Sequence, residues 1–234
     1  MNVIITGASQ GIGKAIAEKY ATEGYNLLLC SKNEKRLLQA ADDIGKKNKE
    51  INILTYSADL SDKNQVKEFA HWILKKNISI DILVNNAGNF LPGSIYDEED
   101  GVLEKMIAVN LYSAYYLTRT LLPEMMMKKN GHIFNISSIA ALGAYPNGGS
   151  YSISKYALMG FSKNLREEMK PYGIKVTTVY PGAVYTSSWE ASGVDAKRIM
   201  ETKDIADSIY SISKLSPQAC VEDIILRPQL GDLP

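Results

Sequence analysis

Val3-Ile4-Ile5-Thr6-Gly7-Ala8-Ser9-Gln10-Gly11-Ile12-Gly13 runs from a short apolar strand pattern through three glycines into a helical period over residues 13–23. Each glycine answers a different steric demand. Gly7 permits a tight turn, Gly11 lets backbone approach a pyrophosphate, and Gly13 lets the helix pack close to the strand. The free N–H groups of the helix's first turn then face an anion. Three glycines alone are a weak signal, since many turns use glycine. At a strand-to-helix junction they have the context that a dinucleotide-binding turn requires.

The rest of the chain repeats that alternation. Apolar runs at 26–30, 51–57, 81–84, 132–136, 174–180 and 222–226 are separated by helical periods at 34–47, 62–76, 104–128, 150–170 and 203–215. Strands apolar on both faces and spaced by helices belong in a parallel sheet covered on both sides. The expectation is one α/β domain over residues 1–234, a doubly wound Rossmann fold with a seven-stranded parallel sheet and helices on both faces. Residues 185–202 carry the least regular pattern and are expected to form a lid over the site.

Composition narrows the function class. The 234 residues include 26 basic and 26 acidic side chains, so no basic footprint for nucleic acid or an anionic membrane exists. No apolar stretch approaches the ~20 residues of a membrane span, and the first residues have no leader pattern, so a cytoplasmic protein is expected. The two cysteines, Cys30 and Cys220, suggest no disulfide framework, and neither they nor His71 and His132 form a metal-ligand set.

The second strand speaks to cofactor choice. An Asp or Glu at its end would bind a ribose 2′-hydroxyl and repel a 2′-phosphate. Here the strand ends Cys30-Ser31-Lys32-Asn33, with no acid. Lys32 and the Ser31 hydroxyl can receive a phosphate, with Ser9 beside them, which favours NADP(H) over NAD(H). A solvated loop lysine is the plainer alternative for Lys32.

Further on, Tyr151-Ser152-Ile153-Ser154-Lys155 opens a helix. Residues four apart share a helical face, so phenol and ammonium point into one space. The expectation is that the ammonium lowers the phenol's pKa and makes it an acid/base near neutrality. Such a pair is common and usually inert on its own. Asn85-Asn86-Ala87-Gly88 follows the fourth strand, Asn110 interrupts a helix that disfavours it, Ser137-Ser138 follows the fifth strand, and Pro181-Gly182 with Thr186 follows the sixth.

Taken in order, these motifs resemble the short-chain dehydrogenase/reductase family over essentially the whole chain. The resemblance implies an active oxidoreductase moving hydride between NADP(H) and a small carbonyl or secondary alcohol, a ketone or a 3-hydroxy acid among the candidates. It implies a catalytic set of Asn110, Ser138, Tyr151 and Lys155. Ser138 would hold the substrate carbonyl, Tyr151 would trade the proton, Lys155 would also bind the nicotinamide ribose, and Asn110 would hold a relay water. The implied cofactor contacts are Gly7, Ser9, Gln10, Gly11, Ile12 and Gly13 in the turn, then Ser31, Lys32 and Asn33. Asp59 and Leu60 would meet the adenine, Asn86, Ala87 and Gly88 would lie along the cofactor, and Tyr151, Lys155, Pro181, Gly182 and Thr186 would complete the site.

Leu142, Tyr145 and Trp189 are candidate pocket residues, with ordinary packing the equal alternative, and Lys197 and Arg198 could meet an acidic substrate or simply face solvent. The resemblance further implies a homodimer or homotetramer packed through the two long helices, where residues 106–122 offer an apolar stripe. The rival readings are a 3-oxoacyl-[acyl-carrier-protein] reductase, whose usual glycine-rich ending Val221–Pro228 lacks, and a non-catalytic NADP(H)-sensing regulator.

Overall fold

A computed structural model describes residues 1–187, 189 and 193–233. Seven strands alternate with helices in the order β1 Asn2–Thr6, α1 Gly11–Thr22, β2 Asn26–Ser31, α2 Glu34–Lys47, β3 Ile53–Ser57, α3 Lys63–Leu74 and β4 Ile82–Asn85. They continue with α4 Val102–Ile107, α5 Ser113–Lys128, β5 Gly131–Ile136, α6 Gly149–Met169, β6 Ile174–Pro181, α7 Thr202–Ser213 and β7 Asp223–Leu226. The strands form one parallel sheet in the order β3-β2-β1-β4-β5-β6-β7. This is the doubly wound arrangement that the alternating pattern implied.

The two-residue period of the strands sorts their side chains to opposite faces. Val3, Ile5, Leu27 and Leu29 pack with Ile16, Tyr20, Leu37 and Ile209 beneath α1, α2 and α7. Ile4, Leu28 and Cys30 pack with Phe69, Leu117, Leu121 and Leu165 beneath α3, α5 and α6. The chain reverses its direction of travel across the sheet between β1 and β4, which pair as Val3 with Ile82 and Ile5 with Val84. A crevice opens at the carboxyl ends of the strands at such a reversal. No helix among the described residues is long and apolar enough to cross a membrane.

One element departs from the sequence pattern. Residues 104–128 read as a single helix, but a wider π turn at Ala108–Tyr112 separates α4 from α5. The reason lies at Asn110, whose carboxamide is buried and bonded outside the helix. Wider turns of this kind let one side chain leave the regular helical register.

His132 lies in the centre of the sheet, its ring stacked on Phe134 at 4.0 Å and its Nε2 2.7 Å from Thr177 Oγ1. Burial, with help from Lys175, holds its pKa down at about 3. Between about pH 6.5 and 3 the unfolded chain therefore takes up a proton that the folded chain refuses. Stability contributed by neutral His132 is present above that window and is lost as the pH falls through it. The expected slope is at most about 1.4 kcal/mol per pH unit, and His132→Gln should flatten it in urea titrations between pH 6.5 and 4. An unchanged slope in the variant would remove His132 from the acid response.

Candidate active site

The crevice holds a cleft of about 2040 Å³, larger than the ~300–1,000 Å³ of ordinary ligand pockets and roomy enough for a dinucleotide plus a second molecule. At one end lies the glycine turn. Gly7 and Gly11 have φ of 65° and 58°, which favour glycine. Gln10 precedes α1 without a side-chain cap, so the helix's first N–H groups face the cleft uncapped. Ser9, Gln10, Gly11 and Ile12 line the cleft, whereas Gly13 does not. A Cβ on Gly13 would overlap the Gly7 carbonyl oxygen. Gly13 is thus a packing residue, as the steric argument required, and not a lining one.

At the end of β2, Ser31 Oγ lies 2.8 Å from Ser9 Oγ. Lys32 Nζ lies 2.7 Å from Asp59 Oδ2, so this lysine is neither unpaired nor buried. Burial would raise the Asp59 carboxyl, but Lys32 and two bonds from Ser61 outweigh it and hold the group below the usual carboxylate range. Asn33 lines the cleft, although its side chain caps α2 by accepting from Arg36 N at 2.9 Å. Arg36 was not anticipated. Its guanidinium donates to Gln10 Oε1 at 3.3 Å and borders the cleft beside Lys32. The readable signal was its place in the first turn of α2, one turn after the Asn33 cap.

Asn86 closes the other side of the turn. Its Nδ2 donates to the carbonyls of Thr6 at 2.9 Å and Gly7 at 3.2 Å. The side chain is therefore spent on holding β4 to β1, while Ala87 and Gly88 border the cleft with it. Leu60, Pro181, Gly182 and Thr186 line the cleft as well. Asn110 stands one layer behind the wall. Its Oδ1 accepts from Asn89 N at 2.8 Å, and its Nδ2 donates to Asn89 O at 3.1 Å and to Ser154 Oγ at 2.8 Å.

Ser138, Tyr151 and Lys155 meet at the centre. Lys155 is buried and its Nζ donates to Ile136 O at 3.0 Å. The same Nζ lies 5.7 Å from the centre of the Tyr151 ring. Burial brings the Lys155 pKa down to about 8. Burial also pushes the Tyr151 phenol up to about 12, opposed by a hydrogen bond from Ser138 and reinforced by Tyr145. The expectation that Lys155 lowers the phenol is thus corrected. Without a ligand, loss of water around both groups dominates, and it disfavours each charged form.

The end of the cleft around Tyr151 is aromatic and aliphatic. Leu142, Tyr145 and Trp189 border the cleft, as does Phe90, which the sequence reading missed. Of the expected lid at 185–202, residues 188 and 190–192 lie outside the described residues. Its ends are pinned where Tyr185 N donates to Met200 O at 2.8 Å and Met200 N donates to Ala183 O at 3.1 Å. Arg198 does not line the cleft. Its guanidinium donates to the carbonyls of Leu230 at 3.3 Å, Gly231 at 3.0 Å and Asp232 at 3.1 Å.

Known proteins give this arrangement its context. A family model described as short chain dehydrogenase matches residues 1–196. An uncharacterized oxidoreductase of Staphylococcus saprophyticus is 34% identical over 226 residues, covering 96% of both chains. The alcohol dehydrogenase of the archaeon Thermococcus sibiricus, solved with 5-hydroxy-NADP, superposes with a TM-score of 0.90 at 25% identity, covering 100% of this chain and 98% of its own. The closed form of a serine dehydrogenase, solved with NADP+, gives 0.89 at 27% identity, covering 100% and 97%.

The packing at Gly13 carries a stability prediction. Gly13→Ala forces a methyl group against a backbone oxygen that cannot rotate away. Overpacking of this kind costs about 1–3 kcal/mol, to be read from the urea midpoint. Unchanged stability would mean that α1 can retreat from β1.

Proposed function

The chain is an oxidoreductase of the short chain dehydrogenase family, and from that premise we propose that it transfers a hydride between NADP(H) and a carbonyl or secondary alcohol. The observation that carries the reading is the meeting of Ser138, Tyr151 and Lys155 in the cleft that begins at the glycine turn. The cradle fits a dinucleotide. Gly7 and Gly13 stand where a Cβ would collide, and the N-terminus of α1 is free of a side-chain cap. The backbone amides of Gly11 and Ile12 would hold the pyrophosphate, and Ser9, Ser31, Lys32 and Arg36 would hold a 2′-phosphate. Bound there, the cofactor supplies or accepts the hydride.

The chain's own groups manage the proton. The Tyr151 phenol, protonated at neutral pH, gives its proton to the carbonyl oxygen as that oxygen becomes an alkoxide. Ser138 donates to the same oxygen and orients it. Lys155, charged below about pH 8, attracts the phenolate left on Tyr151. Asn110, through Ser154 and Asn89, fixes the helix turn behind them.

Two unpaired cysteines suit a cytoplasmic setting. Exposed Tyr112 at the end of the π turn, Tyr115 on α5 and Ile153 and Tyr156 on α6 suit a homo-oligomer.

Tyr151→Phe should lower kcat for NADPH-dependent carbonyl reduction at least about 100-fold while leaving NADPH binding intact. The wild-type kcat/KM for reduction should fall as the pH rises through about 8, because Lys155 loses its charge there while Tyr151 keeps its proton to about 12. A fully active phenylalanine variant would sink the proton assignment. Cofactor choice is tested separately by fluorescence titration with NADPH and NADH. Lys32→Ala and Arg36→Ala should each weaken NADPH about tenfold and NADH little, since only NADPH carries the extra phosphate. Equal losses for both cofactors would place the two cations elsewhere.

A further inference from the structure

The loop from β4 to α4 forms the wall of the cleft nearest Tyr151. The Phe90 ring stands edge-on to the Tyr151 ring, with centres 4.8 Å apart and planes at 81°. Half of Phe90 is nonetheless exposed (51%), as are Leu91 (46%), Leu142 (39%) and Tyr145 (41%). All four border the same cleft. Large apolar groups left open together around one mouth mark a surface that another apolar group covers.

This wall is fastened to the helix that carries Tyr151. Glu98 accepts from Ser150 N at 2.9 Å with one carboxylate oxygen and from the Ser150 hydroxyl with the other. Gly93 N donates to Asn147 O at 3.1 Å, and Ser94 Oγ donates to Asn147 Oδ1 at 2.6 Å. Gly149 has φ of 34°, and a Cβ there would overlap the Glu98 carboxylate. Ser150 is only 1% exposed, so the Glu98 bond closes over the residue next to Tyr151.

Of the cations bordering the cleft near this wall, Arg227 is paired with Asp232, Lys105 is exposed on α4 and Lys155 is buried and bonded to Ile136 O. A carboxylate packed on the apolar faces of Phe90 and Leu142 would lose water there, and neither side chain offers it a hydrogen-bond donor.

Resting on the oxidoreductase reading above, we propose that the loop 90–98 is a specificity wall selecting uncharged carbonyls that bear an aromatic or branched apolar group, with Phe90 the contact and Glu98 the positioning residue. The apolar group packs on Phe90, Leu142 and Tyr145 while the carbonyl oxygen meets Ser138 and Tyr151. Hydride passes from NADPH to the carbonyl carbon, the C=O π pair moves to oxygen, and Tyr151 protonates that oxygen. The products are the alcohol and NADP+.

The test is steady-state reduction by NADPH of phenyl ethyl ketone, butanone and 3-oxobutyrate. The wild type should favour the aryl ketone over 3-oxobutyrate at least about tenfold in kcat/KM, about 1.4 kcal/mol of discrimination. Phe90→Ala should cut the ratio of aryl ketone to butanone about tenfold, mainly through KM, because the lost contact acts on bound substrate and transition state alike. Glu98→Ala should lower kcat for both ketones. Glu98→Gln, which can still accept from Ser150 N and donate to its hydroxyl, should restore most of that loss. A preference for 3-oxobutyrate, an unchanged ketone ratio in Phe90→Ala, or Gln no better than Ala at position 98 would overturn the wall while leaving the reductase standing. No turnover with any carbonyl, with NADPH still bound, would overturn the oxidoreductase reading and the wall with it.

Discussion

Lys155 is a cation buried at the centre of the molecule, held by the Ile136 carbonyl at 3.0 Å and in no ion pair with a carboxylate among the described residues. Lysines are almost never buried without a partner, because a lone ammonium loses its hydration and gains little in exchange. The surroundings are shaped around this constraint. β5 ends so that Ile136 offers its carbonyl, and Gly88 has no Cβ because that carbon would sit 2.9 Å from Asn110 Oδ1 and 3.5 Å from Lys155 Nζ. The fold therefore stabilises a charge that is costly until an anion or a nascent phenolate arrives beside it. That is the physical content of a site built for the transition state more than for the resting protein.

Holding such a group still requires a stiff frame, and the frame is polar as well as apolar. Asn85 Nδ2 donates to Thr118 Oγ1 at 2.9 Å and to Asn135 Oδ1 at 2.8 Å. Asn135 Nδ2 continues to Ser162 Oγ at 2.8 Å, which joins α5, β4, β5 and α6 below the cleft. Around Tyr151, three alternate serines face three different walls. Ser150 meets Glu98, Ser152 donates to Ala140 O at 2.7 Å, and Ser154 accepts from Asn110. Directional bonds of this kind specify one arrangement where apolar packing alone would tolerate several. They also explain why short hydroxyl side chains occupy the start of α6, where better helix formers would otherwise be favoured.

The parts of this design that could be read in the sequence are those governed by local periodicity. Strand alternation sorted Ile4 from Val3 and Ile5, and the glycine turn announced itself by its place between β1 and α1. What escaped was governed by contacts distant in the chain. Asn110 argues against a helix on propensity, and only its bonds to Asn89 and Ser154 explain the π turn around it. The direction of the Tyr151 shift escaped because spacing shows the neighbouring ammonium but not the burial that raises the phenol. Arg198 could be read as a substrate cation because nothing in the sequence brings residues 230–232 to its guanidinium.

The same division runs through the site itself. The cofactor half is built from backbone: amides, carbonyls and glycines whose positions follow from a strand meeting a helix, so its chemistry is legible wherever that junction is. The substrate half is built from side chains on irregular segments, Phe90 on one loop and Leu142 and Tyr145 on another, and no periodicity links them. Glu98, reaching from the first of these loops to the first turn of α6, Asn110, bonded to Asn89, and Ser152, bonded to Ala140 O, give the irregular half a fixed relation to the regular one. Backbone sites change little with side-chain replacement, whereas a loop fastened by polar bonds at Asn89, Gly93, Ser94 and Glu98 can exchange its apolar residues without disturbing the frame. In the proposed reading the frame sets the reaction and the tied loop sets the selectivity, and the two meet where the Phe90 and Tyr151 rings touch.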